Sequence, residues 1–327
     1  MTIVSFFVAF ICAALLVYVL RYSGRLRFSL EEAVPVSVDT LRQAVVNLEA
    51  WSDWAAWQEH DKETRPVFER DANGGIRSLS WSSDKACKVK IAHLFLGKSG
   101  EIVQRIEGQA PFSYKGKLVW RFKPEANGTM LTLAFKGRIG FAQRAFSKTV
   151  QKMLQLEFSY AINKIVCHLT QGANQAGASC YAVDYLGAST VVAHTLPVRS
   201  FEGASKNIAT TLQPLIGQMK SDLSASGDCE AEVFYLQTNL KTGLTKCKFG
   251  IVADDRSNDE VQYQTQSSPV FVVRLTGHLQ GLEVAWYLAA QHMRALGFQP
   301  DQRLQPFERY HYGQGQVTHV DLFFPMK

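Results

Sequence analysis

The chain has 327 residues, 46% apolar and 20% charged, and its 35 Lys and Arg against 29 Asp and Glu give a formal net charge of +6. That length holds two ordinary domains with their own cores, and that composition excludes an intrinsically disordered chain. The basic residues are scattered in sequence, which hints weakly at an anionic neighbour such as a membrane surface and gives no argument for nucleic-acid binding.

Residues 3–20 read IVSFFVAFICAALLVYVL. As a helix this stretch would extend about 27 Å, close to the hydrocarbon thickness of a bilayer, and it is predicted to be a transmembrane anchor. Met1-Thr2 supplies no basic n-region and Leu20-Arg21-Tyr22 no small-x-small cleavage site, which argues against a signal peptide. Arg21, Arg25 and Arg27 all follow the stretch. The positive-inside rule then predicts a single-pass inner-membrane protein, N-out and C-in, with its soluble domains in the cytoplasm. A cleaved or periplasm-facing form is the rival.

A first domain is expected over 28–171, after a 1–27 anchor and basic flank. Phe28 to Val36 is a predicted strand, and Ser37-Val38-Asp39 caps a helix whose apolar side is Leu41, Ala44, Val45 and Leu48. Trp51, Trp54 and Trp57 follow at a spacing of three and share one side of a helical turn; core packing or a pocket lid weighs more for them than direct ligand contact. His60 and Asp61 sit in a charged run, where a solvated loop is the simplest account and acid–base work the alternative. Strands follow between turn signals at Asn73-Gly74-Gly75, Lys98-Ser99-Gly100, Lys115-Gly116 and Asn127-Gly128. Residues 141–169 form a long closing helix with Phe146, Val150, Met153, Leu154, Phe158, Ala161 and Ile165 on one stripe. This is the element order of the helix-grip fold, a sheet around a last helix with a cavity between them.

On the Trp-rich segment, the strand run and the final helix, this half resembles the SRPBCC superfamily, which includes START-related and polyketide cyclase/dehydrase-like proteins. The resemblance implies a pocket for an apolar small molecule or lipid; it does not imply catalysis. Six cysteines, Cys12, Cys87, Cys167, Cys180, Cys229 and Cys247, show no CxxC pair and no metal-ligand spacing and read as reduced structural thiols. No metal, no cofactor and no catalytic residue is expected.

Residues 172–180 are small and polar and mark the linker to a second domain over 181–327. Thr190 to Leu196 is a predicted strand and Ala204 to Leu223 a helix with Ile208, Leu212, Leu215, Ile216 and Met219 inward and a kink or start at Pro214. Strands at Ala231 to Thr238 and Thr245 to Ala253 follow. The order then recurs: a strand at Val270 to Leu275, a helix from Leu282 stopped by Gly297, and strands at Phe307 to Tyr310 and Val317 to Phe324. Leu282, Ala285, Leu288, Ala289, Met293 and Leu296 give that helix its buried side. Glu232-Val233-Phe234-Tyr235 echoes Phe307-Glu308-Arg309-Tyr310, a weak sign of internal duplication with a cleft at the junction.

The Trp in the last helix, the Pro306-Phe307-Glu308-Arg309-Tyr310 strand and the closing Phe324-Pro325 resemble the GyrI-like effector-binding domain. In that family an acidic residue of this strand lies in a pocket between two pseudo-symmetric halves and faces cationic or aromatic ligands. The resemblance places it at Glu308, with Trp286 and Tyr310 as the accompanying ligand-binding residues. Without it, Glu308 reads as a rim carboxylate paired with Arg309 or Arg303.

Together these readings give an α+β protein: an anchored small-molecule binder with an apolar pocket in the helix-grip domain and a cation- or aromatic-accepting one around Glu308. The partners expected are a hydrophobic or cationic small molecule and the membrane, through residues 3–20, with no nucleic acid. The alternative is an enzyme, either a hydrolase with Glu308 as general base or a cyclase-like activity of the first domain.

Overall fold

Strands that alternate apolar and polar residues between short turns dictate an antiparallel meander, and the computed structural model contains one in its first part. The structure describes residues 7, 10, 21–56, 59, 61, 63–83, 87–96, 100–170, 180–204, 214–215, 217–218, 221, 229–239, 244–252, 262–313 and 316–327. The chain divides into two compact units, Met1–Ala178 and Ser179–Lys327. No described helix is long and apolar enough to cross a membrane; residues 3–20 lie outside the described set, Phe7 and Phe10 excepted.

In the first unit β1 (Arg25–Val34), β2 (Val67–Arg70), β3 (Ile76–Ser82), β4 (Lys88–Leu96), β5 (Ile102–Ala110), β6 (Tyr114–Glu125) and β7 (Gly128–Ile139) form an antiparallel sheet in the order β1-β7-β6-β5-β4-β3-β2. Between β1 and β2 lie α1 (Val38–Val46), capped by the Ser37 hydroxyl accepting from the Thr40 N–H, and α2 (Trp51–Trp54). The last helix, α3 (Ser147–Thr170), runs along β1: Phe158 lies 6.3 Å from Phe28, which stacks on Phe135 at 5.2 Å. Leu26, Leu118, Trp120, Leu133 and Phe135 of the sheet and Val150, Leu154, Phe158 and Ile165 of α3 are fully buried.

Three expectations for this unit change. Phe146 is half exposed, because residues Phe141–Phe146 form a 3-10 turn whose tighter period rotates it off the α-helical stripe. Lys115-Gly116 is no turn but mid-strand in β6, where the missing Cβ of Gly116 leaves room for the Phe135 ring. Asp61 is no solvated carboxylate either: it is buried, and accepts from Ser83 Oγ, Thr64 Oγ1 and the N–H groups of Glu63 and Thr64. Those bonds, the Ser83 hydroxyl first, hold its carboxyl down at about 2. Trp51 and Trp54 are buried, with the Trp51 indole donating to the Val45 carbonyl and its ring edge-on to Trp120 at 5.8 Å, so both act in the core. Trp57 and His60 lie outside the described residues.

In the second unit seven strands make an antiparallel sheet in the order β10-β12-β11-β15-β16-β14-β8. They are β8 (Tyr181–Val191), β10 (Arg199–Ala204), β11 (Cys229–Asn239), β12 (Leu244–Val252), β14 (Ser268–Gly277), β15 (Phe307–Gly313) and β16 (Gln316–Pro325). A two-stranded ribbon of β9 (Thr195–Pro197) and β13 (Gln262–Gln264) stands apart, and α4 (Leu282–Ala295) packs on the inner face with Leu282, Ala285, Ala289 and Met293. β10-β12-β11 and β14-β16-β15 have the same internal order and meet where β11 pairs with β15.

The first strand of the leading half is therefore β10, not Thr190 to Leu196. A long strand, β8, precedes it; its alternation is broken by a bulge at Gly187, whose φ of 89° suits only glycine. Ala204 ends β10 rather than opening a helix, and of the expected helix only Pro214, Leu215, Gly217, Gln218 and Ser221 are described, all helical. Leu296 is exposed because α4 ends just before it, at Ala295, and Gly297 with φ 77° turns the chain away after it. Cys87, Cys167, Cys180 and Cys247 form no disulfide.

Phe158→Ala removes the ring through which α3 meets β1. It is expected to destabilise the first unit by about 3–5 kcal/mol, read as a lower urea midpoint with α-helical signal lost first.

Candidate functional site

The centre of the second sheet is the β11–β15 junction, where register sets Val233 opposite Glu308 and Ala231 opposite Tyr310. In the alignment of Glu232–Tyr235 with Phe307–Tyr310, Val233 and Glu308 are also equivalents. A pseudo-two-fold axis normal to the sheet thus passes between them, and Tyr235 and Tyr310 are related by it. Both tyrosine hydroxyls donate to Glu308 Oε2 at 2.7 Å, and the Trp286 indole N–H of α4 donates to Oε1. Glu308 is fully buried. Trp286 is edge-on to Tyr235 at 5.9 Å and to Phe324 at 4.8 Å, so the carboxylate lies within a wall of rings.

The structure therefore brings together Glu308, Trp286 and Tyr310, and adds Tyr235, 73 residues earlier in sequence. Among the described residues no Lys or Arg forms an ion pair with Glu308. Arg309 lies on the opposite face, bonded to Glu232, and Arg303 pairs with Asp301, so neither offers the rim partnership that the sequence allowed. Desolvation raises the Glu308 pKa, and the Trp286, Tyr235 and Tyr310 hydrogen bonds oppose that rise without cancelling it. The same burial, beside that carboxylate, pushes both tyrosines well above their ordinary range and Cys247 up to about 12, so the tyrosines stay protonated donors at neutral pH.

On the outer face of this sheet, Glu232 is also fully buried but is compensated: Arg309 Nη2 approaches at 2.6 Å and His194 Nε2 at 3.1 Å. His311, His319 and Asp321 cluster nearby at a separation that could hold a metal ion. The atoms of Asp321 and His311 are already engaged. Arg274 binds both oxygens of Asp321, and the two nitrogens of His311 face Asp321 and Glu230 at 3.1 and 3.2 Å. Next to this network Phe307 stacks on Phe323 at 4.6 Å and on Phe234 at 5.2 Å; Val191, Leu196 and Val198, beside and within the ribbon, join them in one apolar cluster with Tyr263 packed against it.

The first unit holds a second polar feature that the sequence did not disclose. His93 of β4 and Gln104 of β5 are direct cross-strand partners on the inner face. The Trp120 indole N–H donates to Gln104 Oε1 at 2.8 Å; since an indole only donates, this fixes the amide orientation. His93 Nε2 lies 3.0 Å from the Val46 carbonyl, which only accepts, so Nε2 carries the proton. Burial lowers the His93 pKa and keeps the ring neutral, leaving Nδ1 as an acceptor. Among the described residues, Gln104 Nε2 and His93 Nδ1 are buried without a hydrogen-bond partner. One is a donor and the other an acceptor.

No family model matches the sequence, and no curated protein matches it. Matches among solved structures include START- and cyclase-type proteins and a conserved protein, each aligned over nearly its whole length to less than half of this chain. A START superfamily protein from Mycobacterium smegmatis is 17% identical, covering 44% of this chain and 99% of its own, with a TM-score of 0.34. The Zhui aromatase/cyclase from Streptomyces sp. R1128 is 13% identical over 47% of this chain and 99% of its own, with a TM-score of 0.35. A conserved protein from Geobacillus kaustophilus is 11% identical over 45% of this chain and 96% of its own, with a TM-score of 0.36. At such identities and scores these likenesses say nothing of what the residues above do.

Because folding raises the proton affinity of Glu308, its contribution to stability is complete below the ordinary carboxylate range and is lost as pH rises through the raised folded-state value. Glu308→Gln is expected to remove that component. Its Tm relative to wild type should therefore climb as pH rises above the ordinary carboxylate range, about pH 4; a pH-independent difference would show the carboxyl to be unperturbed by burial.

Proposed function

We propose that this protein is a membrane-anchored, non-catalytic binder of small molecules, with a site for organic cations or aromatic compounds at Glu308 and an apolar site in the helix-grip unit. One observation carries the reading of the second unit: a fully buried carboxylate is held by three aromatic donors and by no cation among the described residues. An uncompensated buried charge is costly, and three neutral hydrogen bonds recover only part of its lost hydration. A lipophilic cation supplies the missing charge, and ring faces around it add about 0.5–2 kcal/mol per contact. The placement at a pseudo-two-fold junction agrees with the resemblance to GyrI-like domains.

Binding is favoured over hydrolysis by how the oxygens are used. Oε2 accepts two hydroxyls and Oε1 an indole N–H, so three of about four lone-pair positions are taken, leaving little to deprotonate a water. The anchor is residues 3–20, with the basic flank after it in the cytoplasm. For the first unit, the unpartnered donor and acceptor on Gln104 and His93 suit one group that both accepts and donates, a hydroxyl on an otherwise apolar ligand.

Titration of the purified protein with tetraphenylphosphonium or rhodamine 6G tests the Glu308 site. Affinity should tighten as pH rises through the Glu308 titration and fall at least about tenfold in Glu308→Gln; equal affinity in the two proteins removes Glu308 from the site. For the first unit, equilibrium dialysis of phenol against benzene and of 2-naphthol against naphthalene is expected to favour the hydroxylated partner by about tenfold, with the preference lost in Gln104→Met and His93→Phe. No preference in the wild-type protein would leave an ordered water as the occupant of this pair.

A further inference from the structure

The outer face of the first sheet carries two rows of like charge. Strand alternation puts Arg25 and Arg27 of β1, Lys136 and Arg138 of β7, and Lys115 and Lys117 of β6 on the side away from the core, all exposed. Register then sets Arg25 opposite Arg138 and Arg138 opposite Lys115 in one row. In the next, Arg27 faces Lys136, Lys136 faces Lys117, and Lys117 faces Arg105 of β5. Neighbouring strands are about 4.8 Å apart, and like charges directly opposite one another destabilise a sheet. Among the described residues Lys115 reaches Glu107 at 3.1 Å, while the other six cations make no ion pair. Five of the seven, Arg25, Arg27, Lys115, Lys136 and Arg138, line a hollow of about 660 Å³.

An array of this kind is stabilised by an external anion, and its position says which. The cationic end of β1 is the end next to the apolar stretch, whereas Glu31 and Glu32 lie at the far end. Leu20 and Arg25 can be at most roughly 17 Å apart, so an anchored 3–20 segment brings the rows to the headgroup layer. Among the described residues no aromatic side chain stands between the two rows on this face, as it would in a platform for stacked bases.

We propose that this face docks on anionic lipid headgroups of the membrane that holds residues 3–20, fixing the first unit against the bilayer. The proposal rests on the anchor reading. It is tested with the full chain in nanodiscs of phosphatidylcholine alone or with about 30% phosphatidylserine, by mass-spectrometric footprinting of lysine acylation. Lys115, Lys117 and Lys136 should label several-fold more slowly in the anionic discs, with protection lost in high salt and Lys246 unchanged. Lys117→Glu and Lys136→Glu, both at exposed positions, should each weaken the association by at least about fivefold.

Equal labelling in the two discs overturns the proposal. So does equal or greater protection of these lysines by inorganic phosphate or duplex DNA. Incorporation into the neutral discs reports on the anchor separately. Should the chain stay out of them, the anchor reading fails by itself, and the basic face is then judged by sedimentation with anionic against neutral vesicles: retention on the anionic ones alone supports it, and retention on neither overturns it.

Discussion

A fully buried carboxyl that no Lys or Arg among the described residues neutralises is the constraint around which the second unit is arranged. Glu308 is tolerated because three separate elements, β11, β15 and α4, each deliver one aromatic donor to it. Each of these donors is itself buried or half-buried, and each is aimed by packing: Trp286 by Phe324, Tyr310 by its place in the core cluster of the inner face. Moving any of the three elements would leave a lone pair unsatisfied in a low-dielectric setting, so the polar centre also fixes the geometry of the apolar layer around it.

The pseudo-symmetry explains how such a centre arises. The two like-ordered strand triplets place equivalent tyrosines on both sides of the axis, and Glu308, where the other half has Val233, converts an apolar junction into a charged one. On the reverse side of the same strands Glu232 stands beside Arg309, where the charge is neutralised. Two buried glutamates on two neighbouring strands thus have opposite electrostatic characters: among the described residues a cation compensates Glu232 and none compensates Glu308.

Much of this could be read from the chain and some could not. The grouping of Glu308, Trp286 and Tyr310 was legible only through the resemblance to GyrI-like domains, since the residues by themselves read Glu308 as a rim carboxylate. Tyr235 was not, because only the pairing of β11 with β15 brings it near. The same holds for His93 and Gln104, whose meaning depends on a cross-strand register, and for Asp61, whose partner Ser83 comes from a later segment. Short B-x-B patterns at Arg25–Arg27, Lys115–Lys117 and Lys136–Arg138 are visible in sequence, where B is a basic residue. Their convergence is set by β1 lying beside β7, a closure between the two ends of the meander that no local signal encodes. The bulge at Gly187 hid β8, and Gly116 resembled a turn although it serves a bulky neighbour.

The small ribbon of β9 and β13 has a consequence for assembly. Phe234, Phe307, Phe323, Val270 and Val272 would form an oily strip on the back of the second sheet, and Leu196, Val198 and Tyr263 lie against it instead of solvent. A bare strip of that kind invites face-to-face stacking of identical sheets. With its own chain folded over the strip as a flap, held by His194 and Thr265 through their mutual hydrogen bonds, the second unit is self-shielded on that side.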